Sequence, residues 1–180
     1  MTTPSHSPAR WLLLGILAWP GCAGPWVDIR ERGDFDRRAY PIALVAPLKA
    51  EGEIDPDLAE KLRGWIEIEL LERDFRLKSW AEVDEIIRGA GGDETQAGIF
   101  QACGQLGTSG FWGGRGRLEV GEEGVKDLTL VIRFHDRITR EWVVELRGNH
   151  HAQKGASVAE EREAWIALIE EMVDQLPEED

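Results

Sequence analysis

Basic residues, cysteine and long apolar runs are all scarce in this chain, and each scarcity removes a class of protein. Lys and Arg number 21 against 34 Asp and Glu, a formal charge of −13 over 180 residues. Such a surface repels phosphates, which excludes a basic nucleic-acid binder and non-specific attachment to anionic headgroups. Two cysteines, Cys22 and Cys103, are too few for a disulfide scaffold or a cysteine-based zinc site. The apolar run Trp11 to Trp19 is short. As a helix it spans roughly 14 Å, about half of a ~30 Å hydrocarbon core, so it does not cross a membrane. Internal repeats and low-complexity stretches are also missing. What is present is 42% apolar residues in a length that suits one folded domain plus an appendage.

The appendage is at the start. Arg10 precedes the apolar run, which Pro20-Gly21-Cys22 closes. A short basic start, a short apolar stretch and small residues at its end make residues 1–21 a signal peptide. Gly21-Cys22-Ala23-Gly24 resembles a bacterial lipobox, with Trp19 and Pro20 where that motif prefers Leu and a small residue. The expectation is a lipidated Cys22, with ordinary cleavage after Ala23 as the alternative. Acyl chains at about 0.8 kcal/mol per buried methylene hold a soluble domain stably on a bilayer. Residues 22–40 carry mixed charge and turn-prone glycines and read as a lipid-anchored tether, whose 18 residues after Cys22 reach at most about 60 Å.

The folded part is expected over 41–176, followed by an acidic tail at 177–180. Ile42 to Ala46 is a continuous apolar run of strand length, covered on both faces. Asp55-Pro56 supplies an N-cap and a proline at the first helical position. Leu58, Leu62, Trp65, Ile66 and Leu70 then follow at helical spacing, despite Gly64. Phe75 to Trp80 alternates like a strand, a short helix follows Ser79, and Thr95 to Leu106 is another helix stopped by Gly107. Three strands are expected at about 109–120, 126–136 and 140–148. In the middle one Leu128, Leu130, Ile132 and Phe134 face one way, and Thr129, Val131, Arg133 and His135 the other. Ser157-Val158-Ala159-Glu160 is a capping box that opens a final helix. The order β-α-β-α-α-β-β-β-α implies an α/β (α+β) domain: a single mixed sheet of about five strands with helices packed on it.

Three stretches in that order carry a family likeness: Ile42 to Leu71, Phe75 to Ile87, and Ala102 to Gly114 with its Leu106-Gly107-Thr108 core. The hairpin His135 to Val144 adds a fourth, with Thr139-Arg140 where the family has Thr-Gly. Together they resemble the bacterial envelope lipoproteins with a TolB amino-terminal-like domain, the group that includes the CsgG, FlgO and LpoB types. The resemblance covers about 40–176. It implies a non-enzymatic domain, tethered to a membrane on the periplasmic side, that binds another envelope protein in cell-wall synthase regulation or the assembly of an envelope machine. The alternative it leaves is an oligomerising subunit of a flagellar, secretion or efflux assembly. Ala23 after the cysteine favours the outer membrane over the inner. The short strand connections leave no room for the long hairpins of a secretion channel.

No residue is expected to be catalytic, and neither a metal nor a cofactor is implied. Adjacent His150 and His151 on a strand point to opposite faces and do not share a ligand. His135-Asp136 lacks a nucleophile in a suitable setting, and Asp136 reads as a turn residue. Cys103 reads as a small buried residue. Gly110 to Gly116 has no Lys-Ser/Thr ending and precedes a strand, so it is no phosphate loop. Among the tryptophans, Trp65 and Trp165 belong to helix stripes. Trp26 and Trp112 are the candidate partner contacts.

Overall fold

A computed structural model describes residues 25–32, 35–89 and 95–177. It contains one mixed six-stranded sheet and four α-helices. The strands are β1 (Trp26–Glu31), β2 (Ala43–Val45), β3 (Lys49–Gly52), β4 (Gly110–Val120), β5 (Lys126–Asp136) and β6 (Trp142–His151). The helices are α1 (Pro56–Glu72), α2 (Trp80–Gly89), α3 (Gln96–Leu106) and α4 (Val158–Asp174). The sheet order is β1-β6-β5-β4-β2, with β3 pairing β4 further along the same edge. The expected class and approximate element order are met.

Local signals set the helices where the sequence places them. The Asp55 carboxylate accepts from Leu58 N–H at 2.7 Å with Pro56 in the first turn, and Thr95 caps α3. Gly107 ends α3 at φ 67°, and Ser157 with Glu160 forms the full capping box of α4.

Two parts of the expected layout change. Residues 26–31, placed in the tether, form an edge strand, with Trp26 opposite Asn149 and Glu31 opposite Val144. Behind it Phe35 is buried, and Tyr40 stacks on it at 5.7 Å. The strand expected over 75–80 shrinks to one bridge, Ala43 with Leu77, because α2 already begins at Trp80. Its place on the β4 edge goes to β2 and β3. Pro47 has no N–H to donate and interrupts that edge between them. The buried Arg63 guanidinium covers the carbonyl of Val45 at 3.0 and 2.8 Å and reaches Asp84 on α2 at 2.7 Å.

The sheet separates two apolar clusters. On one face α1 and α4 pack Leu62, Ile66, Leu70, Leu168, Ile169 and Met172 against Trp112, Leu130, Ile132, Phe134 and Leu146. On the other, α2 and α3 bring Val83, Ile87, Ile99, Ala102 and Cys103 onto Leu44, Ala46 and Phe111. The second cover is narrow, and most of that face of β5, β6 and β1 lies beyond it.

Close backbone approach within β4 requires Gly114. A Cβ there would lie 1.9 Å from the Val131 carbonyl oxygen, a backbone atom that cannot turn aside. Gly114→Ala is expected to cost about 2–3 kcal/mol by forcing β4 and β5 apart. Gly64 meets nothing within 4 Å in the α1 interior, so Gly64→Ala is expected to stabilise by about 0.5–1 kcal/mol. Urea denaturation of both variants checks the pair.

Candidate interaction surface

Strand register arranges the uncovered face into three cross-strand rows. Asp28, Arg147, Val131 and Arg115 form one; Arg30, Glu145, Arg133 and Gly113 the next; Trp26, Asn149, Thr129 and Arg117 the third. Alternation puts these residues opposite the helix-covered side. The middle row centres on Glu145, 1% exposed, whose carboxylate accepts from Arg133 Nε at 2.5 Å and Arg147 Nε at 2.6 Å. Burial alone would raise the Glu145 pKa. The bonds from Arg147 and Arg133, with their charges, outweigh it and hold the carboxyl below its usual range. Arg32 and Arg133 flank the Trp142 ring at 4.1 and 5.9 Å from its centroid.

Where α3 ends its cover, the same face sinks into a cleft of about 410 Å³. Lys49, Arg115, Arg133, Gln96 and His135 supply its polar lining over Phe111 and Val131, and among the described residues no Asp or Glu lines it. Glu51 lies 3.2 Å from Lys49 and Glu145 2.5 Å from Arg133, just outside that lining, so the cleft is a weakly cationic spot on an anionic molecule. His135 stacks on Phe111 at 4.7 Å and contacts the Gln96 amide through Nδ1 at 3.2 Å. Burial, then the nearby Arg133 charge, lower its pKa to about 4, so it is neutral at physiological pH. On the other face of the sheet acids crowd where α1 and α4 meet. Glu69 on α1 is pushed up by burial and then by Glu72, Glu170 and Asp174.

Trp26 is 57% exposed at the start of β1. Trp112, the other candidate contact, is fully buried between Phe75 and Phe134 and is a core residue. It lies in a strand as expected, and β4 turns its side chain onto the covered face. Cys22 lies outside the described residues, as do 1–21 and 178–180. His150 pairs with Leu128 and His151 with Asp127, on opposite faces as expected. Asp136 accepts from the N–H groups of Ile138 and Thr139 and closes the hairpin turn. Arg140 adopts φ 61° there, the left-handed conformation that favours glycine. Cys103 is buried, and burial raises its thiol pKa. Among the described residues no group of three or more His, Cys, Asp or Glu is placed to hold a metal ion.

Sequence reasoning missed Glu145, Arg147 and Arg115. The polar side of β5 was visible, but nothing local tells which part of a face the helices leave open.

No family model and no curated protein sequence matches the chain. Solved structures do. A PelC dodecamer from Paraburkholderia phytofirmans has a TM-score of 0.58 at 11% identity, covering 86% of this chain and 99% of the PelC chain. Lipoprotein GNA1162 from Neisseria meningitidis has a TM-score of 0.55 at 14% identity, covering 76% of this chain and 99% of its own. At these identities the likeness is one of fold. The chain shares its architecture with these two proteins.

Proposed function

We propose that this chain is a non-enzymatic bacterial envelope lipoprotein whose folded domain binds another envelope protein. Cys22 carries the lipid, and the domain faces the periplasm, on the outer membrane. The observation that carries the binding role is the open cleft edged by Lys49, Arg115 and Arg133, with no Asp or Glu among its described lining residues. Guanidinium groups held on a rigid sheet lose little entropy when they meet carboxylates, so the partner segment is acidic. Anchoring confines the domain near that partner and raises its effective concentration. The groups on the face bind and orient charge, and no residue is given a catalytic role.

In-vivo crosslinking followed by purification from membranes tests this with wild type, Cys22→Ala and Arg115→Glu. The expected outcome is one defined envelope protein recovered with wild type. Recovery falls several-fold with Arg115→Glu, which stays in the membrane, and falls with Cys22→Ala because that variant leaves it. Equal solubility of wild type and Cys22→Ala, with nothing captured by either, defeats the proposal. The PelC dodecamer favours a second reading, an oligomerising subunit of an envelope assembly. A ring-sized species on size-exclusion of the acylated chain selects it over a monomeric adaptor.

A further inference from the structure

The strand found in place of a tether changes how close the domain lies to its membrane. β1 begins at Trp26, four residues after Cys22. Four residues span at most about 14 Å even when fully extended, against the roughly 60 Å of a free tether ending near residue 40. The covalent connection therefore keeps the start of β1 within about 14 Å of the anchored cysteine, roughly twice the depth of one headgroup layer.

The chemistry of that short stretch agrees with its location. Cys22-Ala23-Gly24-Pro25-Trp26-Val27 contains no charged residue, and Asp28 is the first. Trp26 presents a 57% exposed indole at the row where β1 meets Asn149 of β6. An indole has an apolar body and one N–H, the combination that prefers the boundary between hydrocarbon and water. A chain with a formal charge of −13 gains nothing from anionic headgroups, so the contact is made by the ring.

We infer that the β1 end of the domain rests on the bilayer that holds Cys22, with the Trp26 indole in the interfacial layer. The inference depends on the lipoprotein reading above, since the acylated cysteine supplies the anchor. Glu119 and Glu122 near the β4–β5 connection have no place in that layer, so the domain leans on its β1 edge. The hairpin holding Ile138, 83% exposed, then points away from the membrane. β6 is ten residues long. At 3.2–3.4 Å per residue it sets the two ends about 30 Å apart. The cleft edged by His135 and Arg133 lies toward that far end, open to a periplasmic partner.

The experiment uses the full acylated chain in phosphatidylcholine vesicles, with or without bromine on the acyl chains, which quenches nearby tryptophan. Wild type, Trp26→Phe and Trp80→Phe are compared, and mass spectrometry reads the acyl groups on Cys22. Wild type and Trp80→Phe are expected to lose emission in the brominated vesicles, while Trp26→Phe emits equally in both. An acylated wild type that is not quenched overturns the inference, as does equal quenching of Trp26→Phe. A Cys22 without acyl chains defeats the lipoprotein reading itself and removes the inference with it.

Discussion

Trp112→Ala is expected to destabilise the domain by about 4 kcal/mol, a loss large enough to leave a marginal domain partly unfolded. The indole is fully buried, with ring centroids of Phe75 at 5.7 Å, Phe134 at 5.2 Å and Phe35 at 6.4 Å. Truncation leaves a cavity that three aromatic rings on separate elements cannot close together. Its N–H has no hydrogen-bond partner among the described residues, so the loss is one of packing and not of a hydrogen bond. Trp26→Ala is expected to change stability by no more than about 0.5 kcal/mol, because the ring stands at an exposed strand end. Urea midpoints of the two variants decide between core and surface roles. Comparable losses would mean that Trp26 also packs in the fold.

Glu145→Ala is expected to cost about 2–3 kcal/mol at pH 7. A buried carboxylate with two guanidinium partners is dear to break, and the discount from the full effect comes from the partners. Arg133 and Arg147 side chains are 37% and 34% exposed and can turn to water. The pH dependence has a definite sign. The folded pKa of Glu145 lies below its unfolded value, so its contribution is complete above the unfolded pKa of about 4.3. It is lost as pH falls through the folded pKa. The wild-type advantage over Glu145→Gln should therefore be greatest near neutral pH and shrink under acid. Denaturation of both proteins as the pH is lowered from 7 measures it, and an advantage that does not change with pH would remove the carboxylate from the account. His135 is neutral in the folded domain above about pH 4 but protonates in the unfolded chain below its ordinary value of 6.5, so it lowers the stability of both proteins between those two values and cancels from their difference.

The two residues show why charge and aromaticity have to be located before they are interpreted. Glu145 is one of 34 acids, and only the arginines on β5 and β6 make it a strut of the open face. That strut holds Arg133 at the edge of the cleft, so losing it would loosen the proposed binding surface as well as the fold. Trp112 has the opposite history: an aromatic among glycines looks available, and the parallel register of Val45 with Trp112 puts it inside.

Helices and the central meander were legible because their causes are local. Asp55-Pro56, Thr95 with Gly107, and Ser157 with Glu160 satisfy backbone groups within a few residues, and period-two alternation marks β5 wherever it sits. β1 was not legible. Trp26–Glu31 mixes charge with apolar residues and becomes a strand only when β6, far along the chain, offers its edge. The same applies to the cleft. Local periodicity assigns Arg133 and His135 to one side of a strand, but the reach of α2 and α3 across the sheet leaves that side open to a partner. Hydrogen bonds and periodicities that close within a turn or a hairpin can be read from neighbours in the chain. Pairing between distant segments, and the choice of which face stays uncovered, arise only when the whole chain packs.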